Sequence, residues 1–475
     1  MSAFSLRIVV FASALFSALS ILCASGHAQT SNPYKEALAT AYRSNPQLQA
    51  ERARQRSTDE GVARALGGFR PTVTVIGEAG RAVDEFRTRN SFTGATNITD
   101  VNRGPRTVQL LGRQPIYDGG QAISDYRRSE AIVEQGRARL ISVEQSVLQD
   151  AAQAYVDVAR DYKVVQLTRD NVDYLTELKT AIEARFTVRD VTNTDVAQAE
   201  ARLARGLADY QAAQGALARS YSAYKRVIGE EAIANPDMPP IPEILPDTME
   251  TALAEAENNP TLRAAIHAEQ AARAQIGVVK SGLLPDLSLR GAVRRQDDAD
   301  QKHFERDTAE VLLQLSIPIY EGGVSAAQTR EAKHIASQRQ LEAQQASRAA
   351  TDAVRAAWES LISARARIVS IQENVTAARQ ALTGVSEEVK VGARTVLDRL
   401  NAQQEVLDAD VALLRAQRDE FLASLDLLGA VGRLTAKELA LPVEIYDPVA
   451  NYAATRGRWF GTGVNPIENV TQIEK

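Results

Sequence analysis

Pro115-Ile116-Tyr117-Asp118-Gly119-Gly120 and Pro318-Ile319-Tyr320-Glu321-Gly322-Gly323 are two copies of one short motif. A long run without proline follows each copy and lasts to about Phe186 after the first and to about Val389 after the second. These runs predict helices over 121–186 and 323–389, and at ~1.5 Å per residue each helix is roughly 100 Å long. An ordinary globular domain is several times narrower than such a rod, so the sequence predicts an elongated protein.

Other landmarks of the chain repeat together with this motif. Asn45-Pro46 recurs as Asn259-Pro260, 214 residues later, and Asp195 recurs as Asp398, 203 residues later. Landmarks that match over such distances indicate an internal duplication. Because the spacing falls between the two landmarks, the first half is predicted to have about 11 more residues between its strands than the second half.

Each predicted repeat contains a helix, two strands joined by a loop, a long helix, a turn and a shorter helix. We place the first repeat over 29–246 and the second over 247–434. The predicted strands are 72–81, 106–113, 286–294 and 308–317, the shorter helices are 195–228 and 396–432, and the remaining segments are a linker over 229–246 and a C-terminal segment over 435–475. Residues 85–104 are polar and rich in turn residues, which predicts a loop between the first two strands.

The strand over 286–294 alternates apolar and polar residues. This pattern suits a barrel between lipid and water, but a half-buried sheet in a soluble protein gives the same alternation. Four strands are too few to close a membrane barrel, so strands that lie in lipid would require several chains. Along the first long helix, apolar and small residues from Val147 to Ile182 recur at a spacing near 3.5 residues, which is typical of helices packed as coiled coils.

The N-terminus reads as a signal peptide over 1–28. Arg7 precedes a short apolar stretch over 8–22, and Gly26-His27-Ala28 offers small residues for cleavage. The only cysteine of the chain, Cys23, lies within this segment, and the bulky Leu22 before it argues against lipid attachment. We therefore expect an exported chain without disulfides or thiol chemistry.

Composition and residue spacing exclude several classes of function. The formal net charge of -5 gives no electrostatic footprint for nucleic acid. His267, His303 and His334 stand alone in the sequence, so we expect no metal site and no cofactor. A nucleophile–base pair and a phosphate-binding loop are also absent from the sequence, and we expect no enzyme.

The two hairpin turns and the paired motif carry a resemblance to a known family. Residues 186–195 and 391–398 resemble the two periplasmic hairpin signatures of the TolC family of outer-membrane channels, and the duplicated plan resembles the family over 34–434. The missing lipid-attachment cysteine makes the chain more similar to the secretion-type TolC branch. The resemblance implies a homotrimer in the outer membrane of a Gram-negative cell, with a trimeric α-helical barrel joined to a 12-stranded transmembrane β-barrel, four strands per chain.

The resemblance also implies roles for individual residues. The gate latch is expected at Asp195, Thr194 and Arg394, and the entrance constriction at Asp398 and Asn401. The adaptor-docking hairpin tips are expected at Val188, Arg189, Val391 and Gly392, and the strand-to-helix corners at Pro115, Gly119, Gly120, Pro318, Gly322 and Gly323. From the residues alone, 192–195 and 395–398 also fit ordinary helix N-caps.

The chain departs from the family pattern at three of the positions near the entrance. Asn401 leaves a single acidic ring, formed by Asp398, where the family has two, and this predicts a weaker preference for cations. Val389 stands where a latch tyrosine is expected. Arg189 replaces the glycine found at the equivalent Gly392, which puts the shape of the first turn in doubt.

The leading hypothesis is a passive outer-membrane exit duct that works with a periplasmic adaptor and an inner-membrane pump, either an ABC transporter or a proton-driven one. The resemblance leaves open whether such a duct exports proteins by type I secretion or small molecules by efflux. The alternative hypothesis is a soluble periplasmic coiled-coil adaptor or scaffold, which would need no two-faced strands.

Overall fold

The computed structural model describes residues 32–300 and 302–464, so the predicted signal peptide and the last part of the C-terminal segment lie outside the described residues. The strands are β1 (Thr72–Ala79), β2 (Ala82–Arg89), β3 (Thr96–Arg103), β4 (Arg106–Asp118), β5 (Asp286–Asp297) and β6 (Glu305–Ser316). The helices are α1 (Pro33–Ser44), α2 (Pro46–Leu66), α3 (Gln121–Thr187), α4 (Asn193–Ile228), α5 (Met249–Glu255), α6 (Pro260–Lys280), α7 (Val324–Lys390), α8 (Val396–Ala430) and α9 (Pro448–Arg456).

The long helices α3 and α7 contain 67 residues each. Each pairs along its second half with a shorter helix, α4 or α8, to form a helical hairpin, while α2 and α6 pack beside the first halves. Asn45 and Asn259 cap α2 and α6 in the same way, because each side chain accepts hydrogen bonds from the next two or three backbone N–H groups. The predicted fold of duplicated long helices with a small strand part is confirmed.

One predicted segment is wrong. Residues 85–104, predicted as a loop, contain most of a β-hairpin in which β2 pairs with β3 from Ala82↔Arg103 to Arg89↔Thr96. Asp84 and Arg103 form a salt bridge of 2.6 Å within it. The sequence is polar because most of these side chains are exposed, and backbone pairing rather than an apolar face holds the two strands together.

The other four strands form one antiparallel sheet in the order β1-β4-β5-β6, so the central pair β4–β5 joins the first repeat to the second. β4 is longer than the predicted 106–113 and runs on through the motif to Asp118, with a bulge between Pro115 and Tyr117. Proline has no backbone N–H to donate to a sheet. It is accommodated here because the pairing of β4 with β1 ends at Arg113.

The glycine pair of each motif turns the chain from strand to helix. Gly119 and Gly120 have φ values of 68° and 82°, and Gly322 and Gly323 have values of 65° and 84°, all in the left-handed region that side chains disfavour. A Cβ atom on Gly119 would also lie 2.7 Å from the backbone oxygen of Ser281. Glycine is therefore required at the first corner by both backbone conformation and space.

The largest apolar core lies partway along the rods, where α1, α3, α4 and α8 meet the segment after α8. Phe421 and Tyr155 pack edge-on against Tyr34, with ring centroids 5.5 Å and 5.4 Å away. Smaller clusters follow each helical hairpin towards its tip. In the described part of the chain, none of the helices has a segment long and apolar enough to cross a membrane.

Candidate functional site

The four-stranded sheet has one apolar and one polar face. Residues that pair directly across an antiparallel sheet point to the same side, so the pairing registers assign each residue to a face. The apolar face contains Val73, Val75, Val108, Leu110, Leu287, Leu289, Val293, Ala309, Val311, Leu313 and Leu315. The polar face contains Thr72, Thr74, Glu78, Thr107, Gln109, Arg113, Arg290, Arg294, Thr308, Glu310 and Gln314.

Much of the apolar face is open to solvent in the single chain. Val311 is 74% exposed, and Val73, Val75, Leu313 and Leu315 are also exposed. A half-buried sheet of a soluble protein would cover such a face with a second layer. The exposure therefore favours the lipid-facing interpretation of the alternation.

The opposite ends of the rods form two hairpin turns of the same shape. Arg189 has a φ of 63°, close to the 78° of the equivalent Gly392. Asp190 N–H donates to the oxygen of Arg185 over 3.0 Å, and Ala393 N–H donates to that of Glu388 over 2.9 Å. Arg189 therefore preserves the turn that glycine gives the second hairpin, at a backbone cost of about 1–2 kcal/mol.

Asp195 and Asp398 act as helix caps. The Oδ2 atom of Asp195 accepts hydrogen bonds of 2.8 Å from both the backbone N–H and the hydroxyl of Thr192. Asp398 accepts bonds of 2.9 Å and 2.7 Å from the same two groups of Thr395. The two bonds from Thr395 hold the pKa of the Asp398 carboxyl below its ordinary value.

Arg394, Asp195 and Thr194, the predicted latch, are not joined within one chain. The guanidinium of Arg394 pairs with Glu388 over 3.1 Å, within its own hairpin. Among the ion pairs of residues 32–300 and 302–464, none joins Arg394 to Asp195. A latch between these residues is therefore a proposal about neighbouring copies.

A different contact joins the two hairpins inside the chain. The Nη2 atom of Arg202, on α4, donates to Oδ1 of Asn401, on α8, over 2.5 Å. Beside it, Leu400 of α8 belongs to the same apolar cluster as Leu175, Leu178, Ile182 and Ala199 of the first hairpin. Sequence reasoning missed Arg202 because nothing in its local pattern distinguishes it from other exposed arginines.

The remaining entrance residues are placed as follows. Val188 and Val391 lie 203 residues apart at equivalent positions of the two turns, and both are strongly exposed. Val389, where a latch tyrosine was expected, is buried within the second hairpin. Of the residues that the structure describes, no group of three or more His, Cys, Asp or Glu side chains could hold a metal ion.

Comparison with known proteins gives a consistent result for the whole chain. The profile of the family described as outer membrane efflux protein matches residues 37–230 and 253–433, one segment for each repeat. The outer membrane efflux protein BepC of Brucella suis is 33% identical over 441 residues, covering 92% of this chain and 93% of BepC. The outer membrane protein TolC of Vibrio cholerae is 26% identical and covers 74% of this chain and 83% of that protein.

Solved structures share the fold. The outer membrane channel CmeC of Campylobacter jejuni superposes with a TM-score of 0.75 over 90% of this chain and 89% of its own, at 17% sequence identity. Further relatives have names that refer to secretion of proteases.

Proposed function

Because the chain belongs to the outer membrane efflux protein family, we propose that three copies form an exit duct across the outer membrane. Cargo enters from an inner-membrane pump through a periplasmic adaptor that docks on the exposed hairpin tips. The family is one of channels rather than enzymes, and its members are outer-membrane proteins. Family membership disfavours the alternative of a soluble coiled-coil adaptor.

The observation that carries this proposal is the sheet, whose apolar face is exposed while both of its outer strands are open. In the part of the chain that the structure describes, nothing pairs with the outer edge of β1 or of β6. Open strand edges favour pairing with another chain. Edge-to-edge joining of three such sheets gives a closed sheet of twelve strands with its apolar face outward.

The duplication supplies the register of that joint. Within the chain, β4 of the first repeat pairs with β5 of the second, with Arg113 opposite Arg290. The residues at equivalent positions are Ser316 in β6 and Ile76 in β1. In the proposed assembly β6 of one copy pairs with β1 of the next, with Ser316 opposite Ile76.

Disulfide trapping tests this assembly, since residues 29–475 contain no cysteine. The double variant Ser316→Cys with Ile76→Cys is expected to form a ladder of cross-linked dimers and trimers in outer membranes. Directly opposed residues have Cβ atoms about 4.5–5.5 Å apart, near the reach of a disulfide. The measurement is non-reducing electrophoresis after mild oxidation.

The matched control moves one cysteine by a single residue. Ser316→Cys with Gly77→Cys places the two thiols on opposite faces of the sheet and is expected to cross-link weakly. Equal cross-linking of both variants would refute the register. Recovery of an uncross-linked monomer in the soluble periplasmic fraction would refute the duct itself.

Asp398 is proposed to form the single acidic ring of the entrance, and Asp398→Asn should lower the cation preference. A cation that passes about 4 Å from one carboxylate gains about 1 kcal/mol in water, so the cation-to-anion permeability ratio should fall about fivefold. Because the pKa of Asp398 is depressed, its charge is lost only as the pH falls through that lowered pKa. The preference is therefore expected to persist from neutral pH down to about pH 4.

Reversal potentials in planar bilayers measure this preference. Asp195→Asn is the control, because it alters the same kind of cap on the first hairpin while leaving the ring at position 398 intact. A ratio that falls equally in both variants, or in neither, would contradict the assignment of the ring to Asp398.

The cargo class follows from the pump rather than from the duct. Relatives of this chain have names that refer to efflux and to secretion of proteases, and we propose that this chain serves an adaptor and pump of either kind. The hairpin tips support such sharing, since exposed Val188 and Val391 offer an adaptor two similar apolar contacts per copy.

A further inference from the structure

The segment after α8 does not stay at the main core. Leu434, Ala436 and Leu441 are buried in that core, and the backbone N–H of Tyr446 then donates to the hydroxyl of Tyr42 over 3.1 Å. From there α9 packs along α2, the helix that leads to the first strand. The chain therefore runs from the core towards the sheet.

The end of this segment is fixed beside the start of β1. Asn451 Nδ2 donates to the buried carboxylate of Asp59 over 2.9 Å, one turn and a half before the end of α2. Arg70 Nη1 then donates to the backbone oxygen of Arg458 over 2.8 Å. The guanidinium of Arg70 lies 4.6 Å from the ring centroid of Trp459.

This arrangement places exposed aromatic side chains at the edge of the apolar face. Trp459 is 59% exposed and Phe460 is 88% exposed. Arg70 is only three residues before Val73, the first residue of the apolar face in β1. Phe69, which lies beside Arg70 in the chain, is exposed as well, and its backbone oxygen accepts a hydrogen bond from Gln114 of β4.

Resting on the proposed function, we propose that Trp459 and Phe460 form an interfacial anchor that inserts into the headgroup layer of the periplasmic leaflet. Tryptophan concentrates at this boundary because the ring is apolar and its N–H is polar. Arg70 and Arg458 add positive charge beside it, which suits lipid phosphates. The anchor is continuous with the apolar face, and its partner is lipid rather than another protein.

The chain contains only two tryptophans, so lipid contact can be measured directly. The second, Trp358, packs against a core cluster on α7, about 50 Å along the helix from the corner at Val324. Full-length Trp358→Phe protein, with Trp459 as the sole tryptophan, is reconstituted into phosphatidylcholine vesicles with and without bromine on the acyl chains. We expect brominated lipid to reduce its fluorescence by about half or more.

Two matched proteins complete the experiment. Trp459→Phe protein reports Trp358 and is expected to show no quenching. A Val75→Trp variant that lacks both native tryptophans reports the apolar face of the sheet and is expected to be quenched strongly.

The two proposals fail in different ways. If Val75→Trp is quenched and Trp459 is not, the anchor is refuted while insertion of the sheet stands, whether solvent or a neighbouring copy covers the indole. If the Val75→Trp protein is not quenched either, the proposed function fails and the anchor fails with it.

Discussion

Leu341→Asp is expected to abolish the assembly of copies while leaving the single chain folded. Leu341, on α7, is 65% exposed, whereas Ala138, at the equivalent position of α3, is 5% exposed. α3 packs against α6 and α8 of the second repeat, and by the duplication α7 needs α2 and α4 of a neighbouring copy. An unpaired carboxylate buried there costs several kcal/mol, so the assembled fraction should fall by at least about 100-fold.

Light scattering of the detergent-purified protein measures this loss, and circular dichroism verifies that the helices persist. Ile335→Asp is the matched control on the same helix. Ile335 and its equivalent Ile132 are 44% and 37% exposed, so the duplication gives this position no partner to cover it. An assembly that survives Leu341→Asp, or that is lost equally in Ile335→Asp, would contradict the proposed interface.

Arg202→Ala is expected to open the periplasmic entrance. The hydrogen bond from Arg202 to Asn401 joins the two hairpins of one chain, and at an exposed site such a charged bond contributes about 1 kcal/mol. Its loss changes the balance between closed and open hairpins about fivefold per chain. Three chains that open together multiply this to a change on the order of 100-fold.

Single-channel recording gives the open probability of each variant. Arg205→Ala is the control, because Arg205 lies one turn further along α4 and its ion-pair partner, Asp209, is on the same helix. Asn401→Asp turns the acceptor into a carboxylate and should shift the balance the opposite way. An unchanged open probability in Arg202→Ala would show that this contact does not restrain the entrance.

The features that the sequence predicted well are those set by regular periodicity or by backbone geometry. The seam along the first long helix predicted buried positions from Val147 to Ile182, and Ala151, Val158 and Leu175 are indeed buried. The glycine pairs predicted the corners because few other residues adopt their left-handed backbone. The two-faced sheet followed from alternation alone, and the resemblance to the TolC family is confirmed.

The features that the sequence did not predict depend on contacts between distant segments. The hairpin β2–β3 lacks the apolar alternation that normally indicates strands, because most of its side chains are exposed. Arg202 meets Asn401 only because α4 and α8 are brought together by folding. The position of Trp459 likewise depends on Arg70, nearly 400 residues earlier in the chain.

The position of the main core partway along the rods has a mechanical consequence. On α3 the core spans Leu140 to Val158, which leaves roughly 50 Å of rod between the core and the turn after Thr187. Each hairpin is then a lever whose fulcrum is the packed core. A rotation of about 5° at the fulcrum carries the tip roughly 5 Å, so an adaptor that grips the tips can widen the entrance without disturbing the core or the sheet.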